Sequence, residues 1–199
     1  MKRKIGKLFI YLGAVLVIMA LALLLYNKWE AKQAENASAS VLDQLIDQLK
    51  DTSDKDDDYW NSEREMTVVT IDGYDYIGYL SIPSIELNLP VMAQWSYPGL
   101  KIAPGRFSGT TFAHNLVIAG HNYAKHFSPI KWLETGTEVD FTDMDNHTWH
   151  YQVSSIEVLK PTQVEEMTGE KGEEDWDLTL FTCTTGGKTR CAVRCVSVD

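Results

Sequence analysis

Three residues stand where their side chains could do chemistry together. His121 follows the apolar run Leu116-Val-Ile-Ala-Gly, Cys183 ends Leu178-Thr-Leu-Phe-Thr, and Arg190 comes seven residues later, after a Gly186-Gly187 turn signal. A thiol is a poor nucleophile until it loses its proton, near pH 8.5 in the free side chain, and an adjacent cation promotes that loss. An imidazole can assist and can also protonate a leaving amine, the harder half of amide cleavage at neutral pH. Arginine stays charged and offers several donors, which suits a peptide carbonyl or a developing oxyanion. The set therefore predicts nucleophilic attack by Cys183 on an amide carbonyl. Taken singly, each has an ordinary reading: a strand-end histidine bonded to backbone, a buried small cysteine, a surface ion pair. A shared frame for all three argues for the chemical one.

The arginine has a rival. Arg194 lies four residues beyond Arg190, on the same face of a strand but about 13 Å further along, and this places Arg190 nearer the turn that carries Cys183. His114, His126, His147 and His150 have no metal-site spacing, and the chain contains neither CxxC nor HExxH; they are expected in loops or at the surface, with no metal and no cofactor. Cys191 and Cys195 share one face of the last strand and are expected to pack in the core. At about 13 Å apart they cannot bridge each other. A bridge from Cys183 to one of them across the hairpin stays open.

These residues need strands to hold them. Runs at 67–71, 76–82, 86–92, 116–120, 137–141, 148–159, 178–183 and 190–198 are short, rich in Val, Ile, Tyr and Trp, and separated by Gly and Pro. Eight such strands predict a mainly β fold, a closed eight-stranded barrel, with a short helix at 127–134. The connection 160–177 is expected beside the substrate groove, with the ends bearing His121 and Cys183 meeting at one mouth of the barrel. This catalytic domain occupies 67–199.

Before it comes a different kind of chain. Residues 8–26 form nineteen residues without a charge. As a helix they span about 28 Å, close to the hydrocarbon thickness of a bilayer. Lys2, Arg3, Lys4 and Lys7 precede them, so residues 1–7 are expected as a cytoplasmic tail, 8–26 as an uncleaved membrane anchor and the remainder outside the cell. Residues 27–66 read as an extracellular helix and an acidic linker. Val41, Leu42, Leu45, Ile46 and Leu49 form a stripe that packs on the domain or a neighbour. Asp54, Asp56, Asp57 and Asp58 lack the glycine and distal Glu of an EF-hand and read as a solvated spacer. A net charge of −10, with the basic residues clustered at the N-terminus, excludes a basic nucleic-acid-binding face.

The motifs AGHN at His121, TLFTC at Cys183 and the arginine after them resemble the signature of sortases, cysteine transpeptidases of Gram-positive cell surfaces. The resemblance runs over about 75–199, including GYLSIPSIELNLPV and FSPIKWLETGTEV. It implies an eight-stranded barrel, cleavage of an LPxTG-like sorting signal between Thr and Gly, a thioester on Cys183, and transfer to an amine, often of a peptidoglycan precursor, which anchors surface proteins to the cell wall. It implies a thiolate–imidazolium pair as the active form, with Thr182 helping to shape the acyl site. Pilin-assembling members usually carry a lid with an Asp-Pro-aromatic motif. Here Asp56-Asp57-Asp58-Tyr59-Trp60 lacks the proline, which favours anchoring over pilin assembly. The alternatives are a surface binding or scaffold protein on a degenerate sortase barrel, and a cysteine peptidase that only hydrolyses.

Overall fold

A computed structural model describes residues 2–49, 61–168 and 176–198. The acidic spacer residues Asp54 to Asp58, and with them Tyr59 and Trp60, lie outside the described residues.

Among the described residues nine strands form one sheet: β1 (Val69–Ile71), β2 (Tyr74–Ile82), β3 (Leu87–Met92), β4 (Gly105–Ser108), β5 (Leu116–Gly120), β6 (Glu138–Asp143), β7 (Thr148–Leu159), β8 (Leu178–Cys183) and β9 (Arg190–Ser197). Their order is β1-β2-β3-β4-β5-β8-β9-β7-β6, and β6 returns to pair with β2. That return closes an eight-stranded barrel from β2 to β9, which leaves no open edge in the ring. The hairpin strand β1 pairs only with the start of β2, at Val69↔Tyr76 and Ile71↔Tyr74. The eight strands are thus not the eight read from sequence: the run at 67–71 stands outside the ring, and the ring takes in β4. The helix expected at 127–134 is a short 3₁₀ segment, Ser128–Trp132.

Alternation divides each wall strand between two environments. Leu116 and Ile118 of β5, Leu178 and Leu180 of β8, and Cys191, Val193 and Cys195 of β9 fill the barrel interior. Their neighbours Val117, Ala119, Phe181 and Ala192 form a separate outer cluster with Leu159 and Met167. Met167 lies on α2 (Val164–Thr168), a single turn in the β7–β8 connection.

The stretches expected as anchor and stalk lie in one continuous helix, α1 (Lys2–Leu49). Its apolar N-terminal stretch is long enough to cross a membrane, with a window of mean hydropathy 2.6 and none of that window buried against the barrel. Further along, Ala34, Ser38, Val41, Leu45 and Leu49 are buried, a spacing of three and four that makes one face. That face packs on the barrel exterior against Ile71, Tyr76, Met92 and Ala103. Each fully buried Val or Leu contributes about 1.5–3 kcal/mol, so the contact holds α1 to the domain firmly.

The docked helix corrects one expectation from sequence. His126 is neither exposed nor at the surface, with 0% of its area accessible. It faces the Ala34 backbone, although neither ring nitrogen makes a well-formed hydrogen bond, and burial depresses its pKa to about 4. The other three histidines are partly open: His114 lies 3.2 Å from Asp177, His150 lies 2.8 Å from Asp140, and the His147 ring meets Trp149 edge to face.

Candidate active site

The sheet register brings the three sequence candidates together. Strands β5 and β8 run parallel with Ala119 opposite Phe181 and Gly120 opposite Thr182. One step further, His121 and Cys183 leave the ladder on adjacent strands, whose spacing is about 4.8 Å. Across the other edge of β8, antiparallel β9 places Arg190 directly opposite Cys183. All three have the parity of Ala119, Phe181 and Ala192, so they share the outer face of the wall. The site therefore sits at the end of the barrel wall, on its outside.

Each end is held locally. Thr182 donates its hydroxyl to the Gly120 carbonyl at 2.8 Å, tying the two strand ends immediately before His121 and Cys183. Gly120 is required because a Cβ there would come within 2.3 Å of the Phe127 ring. On the β9 side, the Thr184 amide reaches the Thr189 carbonyl at 3.0 Å and their hydroxyls meet at 2.6 Å. Gly186 and Gly187 turn the loop with φ of +88° and +72°, values that glycine adopts without strain. The Arg190 guanidinium donates to the Gly187 and Thr189 carbonyls, each at 3.1 Å, which aims it along its own hairpin.

Arg194 has another place. It is 1% exposed, paired with Glu157 at 3.0 Å, and donates to Thr179 Oγ1 at 2.9 Å and to the carbonyls of Glu166 and Met167. The Trp176 ring covers its guanidinium at 4.2 Å. All of these partners belong to the wall or the connection that carries α2, so the side chain fastens that connection to the barrel.

All three thiols are free. Cys191 and Cys195 point into the core, and burial raises both pKa values, that of Cys195 to about 12. Cys183 is the partly exposed one and faces the opposite side of the sheet, so the bridge left open from sequence has no geometry to form. The His121 imidazole is half-buried, and this burial lowers its pKa below the usual value; Glu30 opposes the shift and Lys101 adds to it. Among the described residues no cluster of three or more His, Cys, Asp or Glu is arranged to hold a metal.

A groove of about 150 Å³ opens beside Cys183, and Thr182 and Arg190 also line it. Its floor is aromatic. Phe107 stacks on Trp95 at 5.5 Å and meets Phe181 edge to face at 5.2 Å. Leu100 lines one flank, and Val164 and Met167 of α2 line the other. Sequence reasoning missed Trp95 and Phe107. Phe107 lies on the unrecognised β4 and Trp95 in the loop before it; the sole hint was Gly105, where a Cβ would come within 2.8 Å of the Trp95 backbone.

Comparison with known proteins bears on this geometry. The family model described as Sortase domain matches residues 80–198. Sortase A of Staphylococcus aureus (strain NCTC 8325 / PS 47) is 27% identical over 195 residues, covering 92% of this chain and 89% of that protein. The crystal structure of sortase C1 from Streptococcus suis is 30% identical, with a TM-score of 0.55 over 62% of this chain and 73% of that one. Clostridium perfringens sortase C, solved with the C-terminal cell wall sorting motif, is 25% identical, with a TM-score of 0.56 over 84% and 95%.

Proposed function

Because the chain belongs to the sortase family of cysteine transpeptidases, we propose that Cys183, His121 and Arg190 cleave an LPxTG-like sorting signal and transfer its acyl part to an amine. The observation that carries this reading is their common face at neighbouring register positions beside one apolar groove.

The Cys183 thiolate attacks the threonyl carbonyl carbon, and the carbonyl π pair moves onto oxygen. Arg190, a fixed cation directly across the ladder, stabilises that oxyanion. Collapse expels the glycyl amine, which takes a proton from the His121 imidazolium, and leaves a thioester. The acceptor amine then attacks the thioester, His121 takes its proton back, and the Cys183 thiolate is released. The groove, floored by Trp95, Phe107 and Phe181, takes the apolar leading residues of the signal. Thr182 acts by holding the Gly120 carbonyl, which keeps the two strand ends in register. The acceptor is a peptidoglycan precursor, so the product is a surface protein anchored to the cell wall. Residues 8–26 span the plasma membrane, with the N-terminus in the cytoplasm and the barrel outside.

The test incubates the full chain in detergent micelles with a fluorogenic LPxTG peptide, with and without triglycine. The expected result is a Cys183 thioester detected by intact mass and a triglycine-conjugated product, both lost in Cys183→Ala. Release of free acid alone, at the same rate with and without amine, would make the protein a hydrolase. No cleavage and no adduct, with Cys183 still alkylatable, would overturn the reading.

A further inference from the structure

His121 carries an anomaly that the proposed reaction leaves unexplained. Among the described residues its buried Nδ1 finds no hydrogen-bond partner, so no polar contact there sets the plane of the ring. The ring instead lies flat on Tyr123, with centroids 3.9 Å apart and planes 7° from parallel. Burial, and with it the charge of the nearby Glu30 carboxylate on α1, pushes the Tyr123 hydroxyl pKa up. Lys101 holds the same carboxylate at 2.8 Å. Residue 101 follows Leu100, which lines the groove, so this contact also joins α1 to the groove's flank.

We propose that Tyr123 and Glu30 are positioning residues for His121, which makes the membrane-side helix α1 a working part of the active site. The proposal rests on His121 as the acid/base of the reaction. Stacking fixes the plane of the imidazole where no hydrogen bond does so. Glu30 restrains Tyr123, and the buried face from Ala34 to Leu49 prevents α1 from sliding away. The charges act in the same direction as the geometry. Glu30 favours the imidazolium needed to protonate the leaving amine, against burial and Lys101. His126, the other ring near His121, is neutral above pH of about 4, and Glu35 of α1 faces it. None of Glu30, Lys101 and Tyr123 lines the groove, so their loss should lower turnover and leave peptide binding unchanged.

The experiment follows the Cε1–H resonance of His121 by NMR across pH, in the full chain in micelles, with His121→Gln as the assignment control. Glu30→Gln is expected to lower the titration midpoint, Lys101→Met to raise it, and Tyr123→Leu to abolish the upfield ring-current shift. With a sorting-signal peptide, Glu30→Gln and Tyr123→Phe should lower kcat roughly ten-fold at unchanged KM, the cost of a misaligned catalytic group. An unmoved midpoint in Glu30→Gln and an unmoved ring-current shift in Tyr123→Leu would overturn the proposal. So would a lowered melting temperature with neither spectral change, which is what a merely structural role predicts. The NMR readouts need no peptide, so failure of the transpeptidase reading would leave them interpretable.

Discussion

Cys183 and Arg190 face each other residue for residue across the β8–β9 ladder, at the two ends of a hairpin closed by Thr184 and Thr189. Backbone register thereby sets the two residues side by side, and bonds to the Gly187 and Thr189 carbonyls hold the guanidinium along its own hairpin. This relationship separates the two arginines and makes their substitutions behave differently.

Arg190→Lys keeps a charge but loses the rigid, planar guanidinium, one nitrogen of which bonds both the Gly187 and Thr189 carbonyls. Turnover should fall by roughly 10²-fold or more, the scale for losing one oxyanion donor. Urea denaturation should find stability within about 0.5 kcal/mol of wild type, as for a partly exposed site.

Arg194→Ala should do the reverse. It strands the Glu166 and Met167 carbonyls and the Thr179 hydroxyl without their donor. Destabilisation of about 2–4 kcal/mol is expected in urea denaturation, given the part-solvated partner Glu157. Cys183 should still react with iodoacetamide in the folded protein.

Alkylation itself should be selective. Intact mass should show one adduct in the native chain, mapped by peptide analysis to Cys183, and three after denaturation. Cys191 and Cys195 are buried in the barrel, where burial keeps them as thiols. Two native adducts would contradict the placement of the last strand.

Gly120→Ala forces a methyl into the Phe127 ring. A loss of about 1–3 kcal/mol is expected from overpacking, together with a fall in kcat, because His121 is the next residue. Pairing it with Phe127→Leu should recover part of both, measured as a double-mutant cycle.

Acid should loosen α1 from the barrel. His126 is held neutral down to about pH 4 when folded but takes up a proton near 6.5 when unfolded, so the unfolded state binds more protons between those values. Stability therefore falls as pH drops from 6.5 to 4, by about 3 kcal/mol. His121, whose pKa burial also lowers, adds in the same direction. Urea midpoints for His126→Leu across this range should slope less than those of wild type.

Much of the candidate site was legible because strand ends are set locally. Alternation and turn residues place a histidine after Leu-Val-Ile-Ala-Gly and a cysteine after Leu-Thr-Leu-Phe-Thr at strand ends; their reading as a set came from the shared frame and the motifs around them. Strand β4 was not legible: Gly105-Arg-Phe-Ser is too short to show a period, and it pairs with β5 from Gly105↔Ala119 to Ser108↔Val117 only because the barrel must close there. The run at 67–71 has strand composition but joins only a hairpin. His126 was misread because periodicity shows that α1 has a buried face and says nothing about which surface that face covers.

By itself, then, the sequence determined the residues capable of thiol chemistry, the strands that end in them, the apolar anchor and the stripe on the helix beyond it. These are set by side-chain chemistry and by periods of two and three to four residues, both written along the chain. Tertiary structure decided the register that makes His121 and Cys183 neighbours, a parallel pair sixty-two residues apart in sequence (Gly120↔Thr182). It also placed Arg190 beside the groove, as strand position already favoured, fastened Arg194 to the connection that carries α2, and laid Tyr123 flat on the histidine ring. Register across a closed sheet and the docking of a helix on its outside depend on how distant surfaces fit, and no local pattern of residues records that fit.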